Sequence, residues 1–344
     1  MGATDDRALA AAAAAPAAGR ELVLAVRDLE VRYEGTRTVH AVNGVSFAVG
    51  AGEIFGLVGE SGCGKSATLR AMIGLLPKSA HVAGEVRFHG DDLLAMRERE
   101  LRAVRGAGIS MIFQDPMTYL NPVLKVGEQL TETLSRHTDL DRRARRARAV
   151  QLLRQVGIAT AERRVRQYPH EFSGGMRQRV LIAIALACGS KVLLADEPTT
   201  ALDVTIQDQI LRLLRELRAE LGMSIVLVSH DLGVIVQTCD RVAVMYGGQV
   251  VESAPVRELL RAPRHPYTVG LVESLPRPAN PSRFLKPIGG SPPSLREAPR
   301  TCVFEPRCPL AEEACREWDT ELLEVGPAHA SRCRRHSAVE APVV

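Results

Sequence analysis

The sequence predicts an α/β fold with a helical insertion and a small cysteine-containing extension at its C-terminal end. Three observations lead there. From Glu21 onward, short runs of β character alternate with helical stretches. Several of these runs are almost wholly apolar, as strands covered on both faces of a sheet must be. Between about Asp115 and Leu186 no strand-like run occurs, so that stretch reads as a helical subdomain set into the α/β body. After about Leu275 the composition shifts to Pro, Gly and Ser in "LPRPANPSRFLKPIGGSPPSLREAPR", a loop-like extension that runs into a cluster of cysteines.

The elements follow in order. "ELVLAVRDLEVRY", "EIFGLVG", "GEVRFHG", "ISMIF", "KVLLAD", "SIVLVS" and "RVAVMYGGQVVE" read as strands. "DRRARRARAVQLLRQVG" is an amphipathic helix, with arginines on a solvated face and Val150, Leu152, Leu153 and Val156 on the other. The opening "MGATDDRALAAAAAAPAAGR" starts acidic and lacks the leucine-rich centre of a secretory signal, which predicts a disordered tail. The expected boundaries are a tail over 1–20, an α/β body over 21–275 with its helical subdomain at about 115–186, and an extension over 276–344.

A chain of 344 residues, 46% hydrophobic and 24% charged, has room for one large domain with a sizeable core and a smaller one. The net charge of +4 neither demands nucleic acid nor excludes it. The longest strongly apolar run, "VLIAIALACG" from Val180 to Gly189, is too short to span a bilayer, so a membrane role would come through a partner.

Two motifs carry chemistry. "GLVGESGCGKSATLR" contains G-x-x-x-x-G-K-S from Gly59 to Ser66, after a strand and opening a helix. Its glycines let backbone N–H groups wrap phosphate oxygens, and the helix start favours negative charge. Lys65 can reach the β- and γ-phosphates, and the Ser66 hydroxyl can ligate Mg²⁺. In "KVLLADEPTTALD" an apolar strand delivers Asp196 and Glu197 to its carboxyl end, where α/β sheets bind ligands. Asp196 is placed to hold Mg²⁺, and Glu197 to polarise an attacking water. His230 and Gln114 each end another short apolar strand, and Tyr33 ends the first. Singly these three are as consistent with capping and packing. In "FSGGMRQR" a helix begins Ser173-Gly174-Gly175, a costly start unless something must approach closely.

Taken in order, Tyr33, Gly59–Ser66, Gln114, Ser173–Gly175, Asp196–Glu197, Asp203 and His230 resemble the ATP-binding subunit of ABC transporters from Glu21 to about Leu275. The resemblance implies an ABC-type P-loop ATPase with a mixed-sheet core, in which two ATPs are sandwiched in a dimer. It implies that Gly59, Ser61, Gly62, Cys63, Gly64, Lys65, Ser66 and Ala67 surround the phosphates, and that Tyr33 stacks on the base. Gln114, Asp196 and Ser66 would serve Mg²⁺, Glu197 would be the general base, and His230 would sense the γ-phosphate. Ser173, Gly174 and Gly175 would press on ATP held by the opposite subunit, with Asp203 at the dimer interface. Phe172 and Met176 replace the family's usual Leu and Gln around Ser-Gly-Gly, and Ala67 replaces the usual Thr.

"QDPMTYLNPVLKVGEQL", "RAPRHPYTVGLVESLP" and "PIGGSPPSLREAPRTCVFEPRCPLAEEAC" resemble the oligopeptide/dipeptide importer branch. That implies an ATPase at the cytoplasmic face of the membrane, working with two permeases and a second ATPase, homologous or identical, and fed by an external solute-binding protein. The branch also handles nickel and other small solutes. The competing reading, an ATPase acting on nucleic acid or ribosomes, would lean on "DRRARRAR" and "ERRVR". It expects long coiled coils or two ATPase units in one chain, and neither is present, so no nucleic-acid partner is expected.

Of seven cysteines, Cys63, Cys188 and Cys239 are scattered and expected as free thiols. Cys302, Cys308, Cys315 and Cys333 follow a C-x5-C-x6-C-x17-C spacing, which by itself leaves zinc, disulfides, free thiols and an iron–sulfur cluster open. The resemblance to importer ATPases that carry all four cysteines adds the expectation of a [4Fe–4S] cluster.

Overall fold

A computed structural model describes residues 20–275, 288–293, 295–318 and 320–341. The expected tail, apart from Arg20, and the opening of the extension at 276–287 lie outside the described residues. The chain divides into two compact units, Met1–Ala95 with Ser229–Val344, and Met96–Val228.

The first unit holds two sheets. Strands β1 (Leu22–Tyr33), β2 (Val39–Gly50), β4 (Ala80–Phe88) and β5 (Asp91–Asp92) form an antiparallel sheet in the order β2-β1-β4-β5. The second sheet starts from β3 (Ile54–Val58), buried along its whole length and parallel to β9 (Arg241–Tyr246). Gly247 and Gly248, both at positive φ, turn the chain from β9 into antiparallel β10 (Gln249–Pro255). β12 (His329–Ser331) then pairs antiparallel with β10, and β11 (Leu323–Gly326) with β12. The β11–β12 hairpin thus extends the sheet whose strand β3 leads into the glycine-rich Gly59–Ser66 stretch. Helices α1 (Lys65–Met72), α9 (Leu232–Thr238), α10 (Val256–Arg261) and α11 (Pro266–Glu273) complete the unit.

β2 is absent from the expected strands. An Asn43–Gly44 pair interrupts its apolar pattern, and in the structure this pair forms a bulge in a continuous strand: Val42 faces Val31 and Val45 faces Leu29. Gly44 takes φ 68, and the Asn43 N–H donates to the Gly248 carbonyl (2.7 Å).

The second unit has α2 (Glu98–Val104) and three parallel strands, β6 (Ile109–Ile112), β7 (Val192–Asp196) and β8 (Ser224–Ser229), in the order β6-β7-β8. Between β6 and β7 run only helices: α3 (Pro116–Tyr119), α4 (Val126–His137), α5 (Arg142–Gln155), α6 (Ala161–Arg164) and α7 (Gly174–Leu186). α8 (Val204–Leu221) links β7 to β8. On α5, Ala149, Leu152 and Leu153 are buried while the arginines of its first half face outward or lie part-buried.

Candidate functional site

In the first unit, β3 leads into the glycine-rich loop expected to take phosphate, and α1 follows it. No side chain caps α1 and no acidic residue stands in its first turn, so its opening N–H groups suit an anion. Two glycines are needed for space. A Cβ on Gly59 would run into the Met245 carbonyl, and one on Gly64, at φ 99, into the Ala41 carbonyl. Lys65 is buried, and its ammonium donates to the carbonyls of Gly59 (2.7 Å) and Glu60 (2.9 Å). Cys63 is buried beside it, with burial pushing its thiol above the ordinary range. Tyr33 is half-buried at the end of β1, its phenol pushed up by burial and eased by Arg70. His230 is exposed just after β8, and Asp231 caps the following helix α9 through the Gly233 N–H (2.7 Å).

In the second unit, β7 is buried throughout and ends in Asp196, which has no solvent exposure. Glu197 follows at φ 45, a backbone region that a non-glycine residue occupies only when its surroundings hold it there. Its N–H donates to the Val228 carbonyl (3.1 Å). Its carboxylate accepts from Gln114 Nε2 (3.0 Å) and from the Thr200 hydroxyl (2.8 Å). The fold therefore joins Glu197 and Gln114, which are 83 residues apart, and adds Thr200, a residue that sequence reasoning passed over although it lies inside the quoted "DEPTTALD".

Ser173 caps α7 by accepting the Met176 N–H (3.4 Å). Its two glycines differ in purpose. A Cβ on Gly175 would press on Ile206 of α8 at 2.5 Å, so that glycine is required by packing inside this chain. Gly174 and Ser173 are exposed, and among the described residues a Cβ on Gly174 would meet only the Leu202 side chain, at an ordinary 3.6 Å. Asp203 caps α8 through the Ile206 N–H (2.9 Å), and beside it Val204 is 82% exposed.

Returning to the first unit, Cys302, Cys308, Cys315 and Cys333 line one cavity together with His265, Phe304 and Trp318, around an internal space of about 20 Å³. All seven cysteines are unbridged. Burial pushes the Cys302 thiol up, Cys308 to about 11 and Cys333 to about 12. Among the described residues, no three His, Cys, Asp or Glu side chains form a group arranged to hold a metal ion. Beneath this lobe Glu252 of β10 is fully buried. Its carboxylate accepts the N–H groups of Arg264 (2.6 Å) and His265 (2.9 Å) and the Nε2 proton of His329 (2.7 Å). His265 is buried and lowered to about 3, so it stays neutral and its Nδ1 can accept the Tyr267 N–H (3.1 Å) that opens α11. Phe304 packs against His265, Tyr246 and Tyr267. Glu252 carries no signal that sequence reading could have used, and although Tyr267 lies inside the quoted "RAPRHPYTVGLVESLP", nothing there marks its phenol as a partner of Glu60.

Comparison with known proteins identifies the family. Residues 42–200 match the ABC transporter family, and residues 251–315 match the C-terminal region of the oligopeptide/dipeptide transporter family. The chain is 50% identical over 300 residues to the dipeptide transport ATP-binding protein of Bacillus subtilis, covering 86% of this chain and 89% of that one. It is 47% identical over 295 residues to the oligopeptide transport ATP-binding protein of Salmonella typhimurium, covering 86% and 88%. A dimeric ATP-binding cassette in a post-hydrolysis state, bound to ADP and Pi, matches with a TM-score of 0.60 at 29% identity, over 68% of this chain and 99% of that one. The fold is that of an ABC ATPase and the activity is ATP hydrolysis. With identity of this order over most of its length, the chain belongs to the family of oligopeptide/dipeptide ABC transporter ATP-binding subunits.

Proposed function

We propose that this subunit drives the import of oligopeptides or dipeptides from the cytoplasmic face of the cell membrane. It works with two permeases and a second homologous ATPase, and indirectly with an external solute-binding protein. The observation that carries the reading is the pairing, in one chain, of the cassette motifs with the oligopeptide/dipeptide C-terminal region. No helix among the described residues is long and apolar enough to cross a membrane, which is consistent with a subunit that reaches the bilayer through permeases.

On this reading Gly59, Ser61, Gly62, Cys63, Gly64, Lys65, Ser66 and Ala67 receive the phosphates of ATP and Tyr33 stacks on its base. Lys65 turns its ammonium from the carbonyls of its own loop to the β- and γ-phosphates. The donors assigned to Mg²⁺, the Ser66 hydroxyl, the Gln114 amide oxygen and the Asp196 carboxylate, are the hard oxygens that such a cation takes. When bound, Mg²⁺ neutralises charge on the phosphate oxygens. Glu197 accepts the proton of the attacking water, its carboxylate oriented by Gln114 and Thr200. His230 senses the γ-phosphate. The exposed Ser173 and Gly174, with Asp203 and Val204 nearby, meet the second ATPase and complete its site.

The phosphate loop is tested by Lys65→Ala, which should weaken ATP binding by at least ~10-fold, since it removes a charge-assisted contact to phosphate. Normal affinity in that variant would remove the loop from this role. The assembly is tested by purification from detergent-solubilised membranes. Permeases and a second ATPase should accompany the chain, whereas ribosomal proteins or nucleic acid in their place would overturn the importer reading.

The same reading assigns a [4Fe–4S] cluster to Cys302, Cys308, Cys315 and Cys333. What supports it is that the four thiols line one cavity, four thiolates being a usual ligand set for such a cluster. The cluster would act as a staple for a Pro-rich extension, since hydrolysis of ATP moves no electron. Anaerobically purified protein should be brown, absorb broadly near ~400 nm and hold about four irons per chain. Stoichiometric zinc without iron would refute it.

A further inference from the structure

Glu60 is the second residue of the phosphate loop, and each of its polar groups is held. Its N–H donates to the Tyr267 phenol oxygen (3.0 Å), and its carbonyl accepts from Lys65 (2.9 Å). Its carboxylate meets Arg307 in a two-pronged ion pair, Nη1 to Oε2 at 2.8 Å and Nη2 to Oε1 at 3.0 Å. Arg307 is itself fixed by the Tyr246 hydroxyl (3.1 Å) and by the carbonyls of Ile288 (3.1 Å) and Gly289 (2.7 Å). The Arg307 side chain is 6% exposed and that of Glu60 25%. Arg307 ends the short turn Glu305–Arg307 between Cys302 and Cys308, and Tyr267 sits in the first turn of α11. Two side chains from the C-terminal part of the chain therefore grip the loop that receives ATP.

A carboxylate in such a loop is an electrostatic liability, because unpaired it repels a polyanionic ligand. A guanidinium fork matches a carboxylate in both charge and shape, and at low exposure the pairing is weakly screened. We propose that Arg307 is a positioning residue for nucleotide binding: it cancels the charge of Glu60 and, with Tyr267, holds the phosphate loop in its binding shape, so that the cysteine lobe sets ATP affinity. This rests on the reading of Gly59–Ser66 as the phosphate loop.

The test is titration of ATP and ADP binding to the purified full-length chain and its variants, with thermal unfolding as a control for folding. Arg307→Ala should raise the ATP Kd about tenfold, equivalent to 1.4 kcal/mol. The loss should be smaller for ADP, which carries less charge, and should shrink in high salt. The decisive variant adds Glu60→Gln to Arg307→Ala. Removing the charge that Arg307 offsets should bring the ATP Kd back to within about threefold of the native value, a recovery that a packing role could not produce. Arg307→Lys keeps the charge without the fork and should fall between. Tyr267→Phe, which deletes only the acceptor of the Glu60 N–H, should weaken ATP binding about two- to threefold.

An ATP Kd within twofold of native in folded Arg307→Ala overturns the proposal, as does a double variant that stays as weak as the single one. If Arg307→Ala does not fold, unchanged affinity in both Arg307→Lys and Tyr267→Phe overturns it. Lys65→Ala in the same titration separates the two layers. Normal binding there sinks the loop reading itself, while lost binding there with native affinity in Arg307→Ala sinks only the role of Arg307.

Discussion

Replacing Glu197 by Gln is expected to lower ATP turnover by at least about a hundredfold, the scale of losing a positioned base, while leaving ATP affinity within about twofold. The physical case lies in what the substitution keeps. Glutamine has the same shape, and its amide oxygen can still accept from the Thr200 hydroxyl that now donates to Glu197 (2.8 Å). The residue can hold its unusual backbone at φ 45, and the Gln114 side chain keeps its place beside it. Only the basicity is lost. Phosphate release measured in a complex reconstituted with its permeases, beside nucleotide titration, separates the two effects. Turnover near the native rate would take Glu197 out of the chemistry, and a collapse of ATP affinity would mark it as a binding residue instead.

The largest effect on stability is expected at Glu252. One fully buried carboxylate there satisfies the N–H groups of Arg264 and His265 and the ring of His329. It ties β10 to the start of α11 and to the C-terminal hairpin at once. Glu252→Ala would leave two backbone donors and an imidazole N–H unsatisfied in the interior, which costs about 3 kcal/mol or more. The thermal unfolding temperature of the full-length chain should fall by about 5 °C or more, with faster protease cleavage in the β11–β12 hairpin. Glu252→Gln, which retains one acceptor, should lose less. A variant that melts within about 1 °C of the native protein would show that these contacts carry little of the fold's stability.

The parts of the protein that sequence reading reached are those whose chemistry is local. The loop expected to take phosphate is eight consecutive residues, and β7 is an apolar run that ends in Asp196, with Glu197 just after it. Both can be recognised without knowing what lies across the sheet. β2 escaped because its Asn43–Gly44 bulge mimics a break, and β11 and β12 because they are too short to show alternation. The dual origin of the Ser-Gly-Gly start was also hidden. Only the proximity of Ile206 shows that Gly175 serves packing while Gly174 stays open. The pairs Glu60–Arg307 and Glu252–His329 span 247 and 77 residues, and nothing in the spacing of an arginine or a histidine announces its partner at such range.

That separation of Glu60 from Arg307 also sets an order of events while the protein is being made. The glycine-rich loop of Glu60 and Lys65 leaves the ribosome well ahead of its partner. Arg307 is 247 residues behind Glu60. At about 5–20 residues per second, translation leaves a gap of roughly 12–50 s between the two. Throughout that interval the nascent loop carries the Glu60 charge without its counter-charge, and until Tyr267 emerges it also lacks the phenol that receives its N–H. On the role proposed for Arg307, a newborn chain gains its full grip on nucleotide only once residue 307 has emerged. A chain released early, before residue 307, would present the ATPase motifs to its partners with the loop still ungoverned.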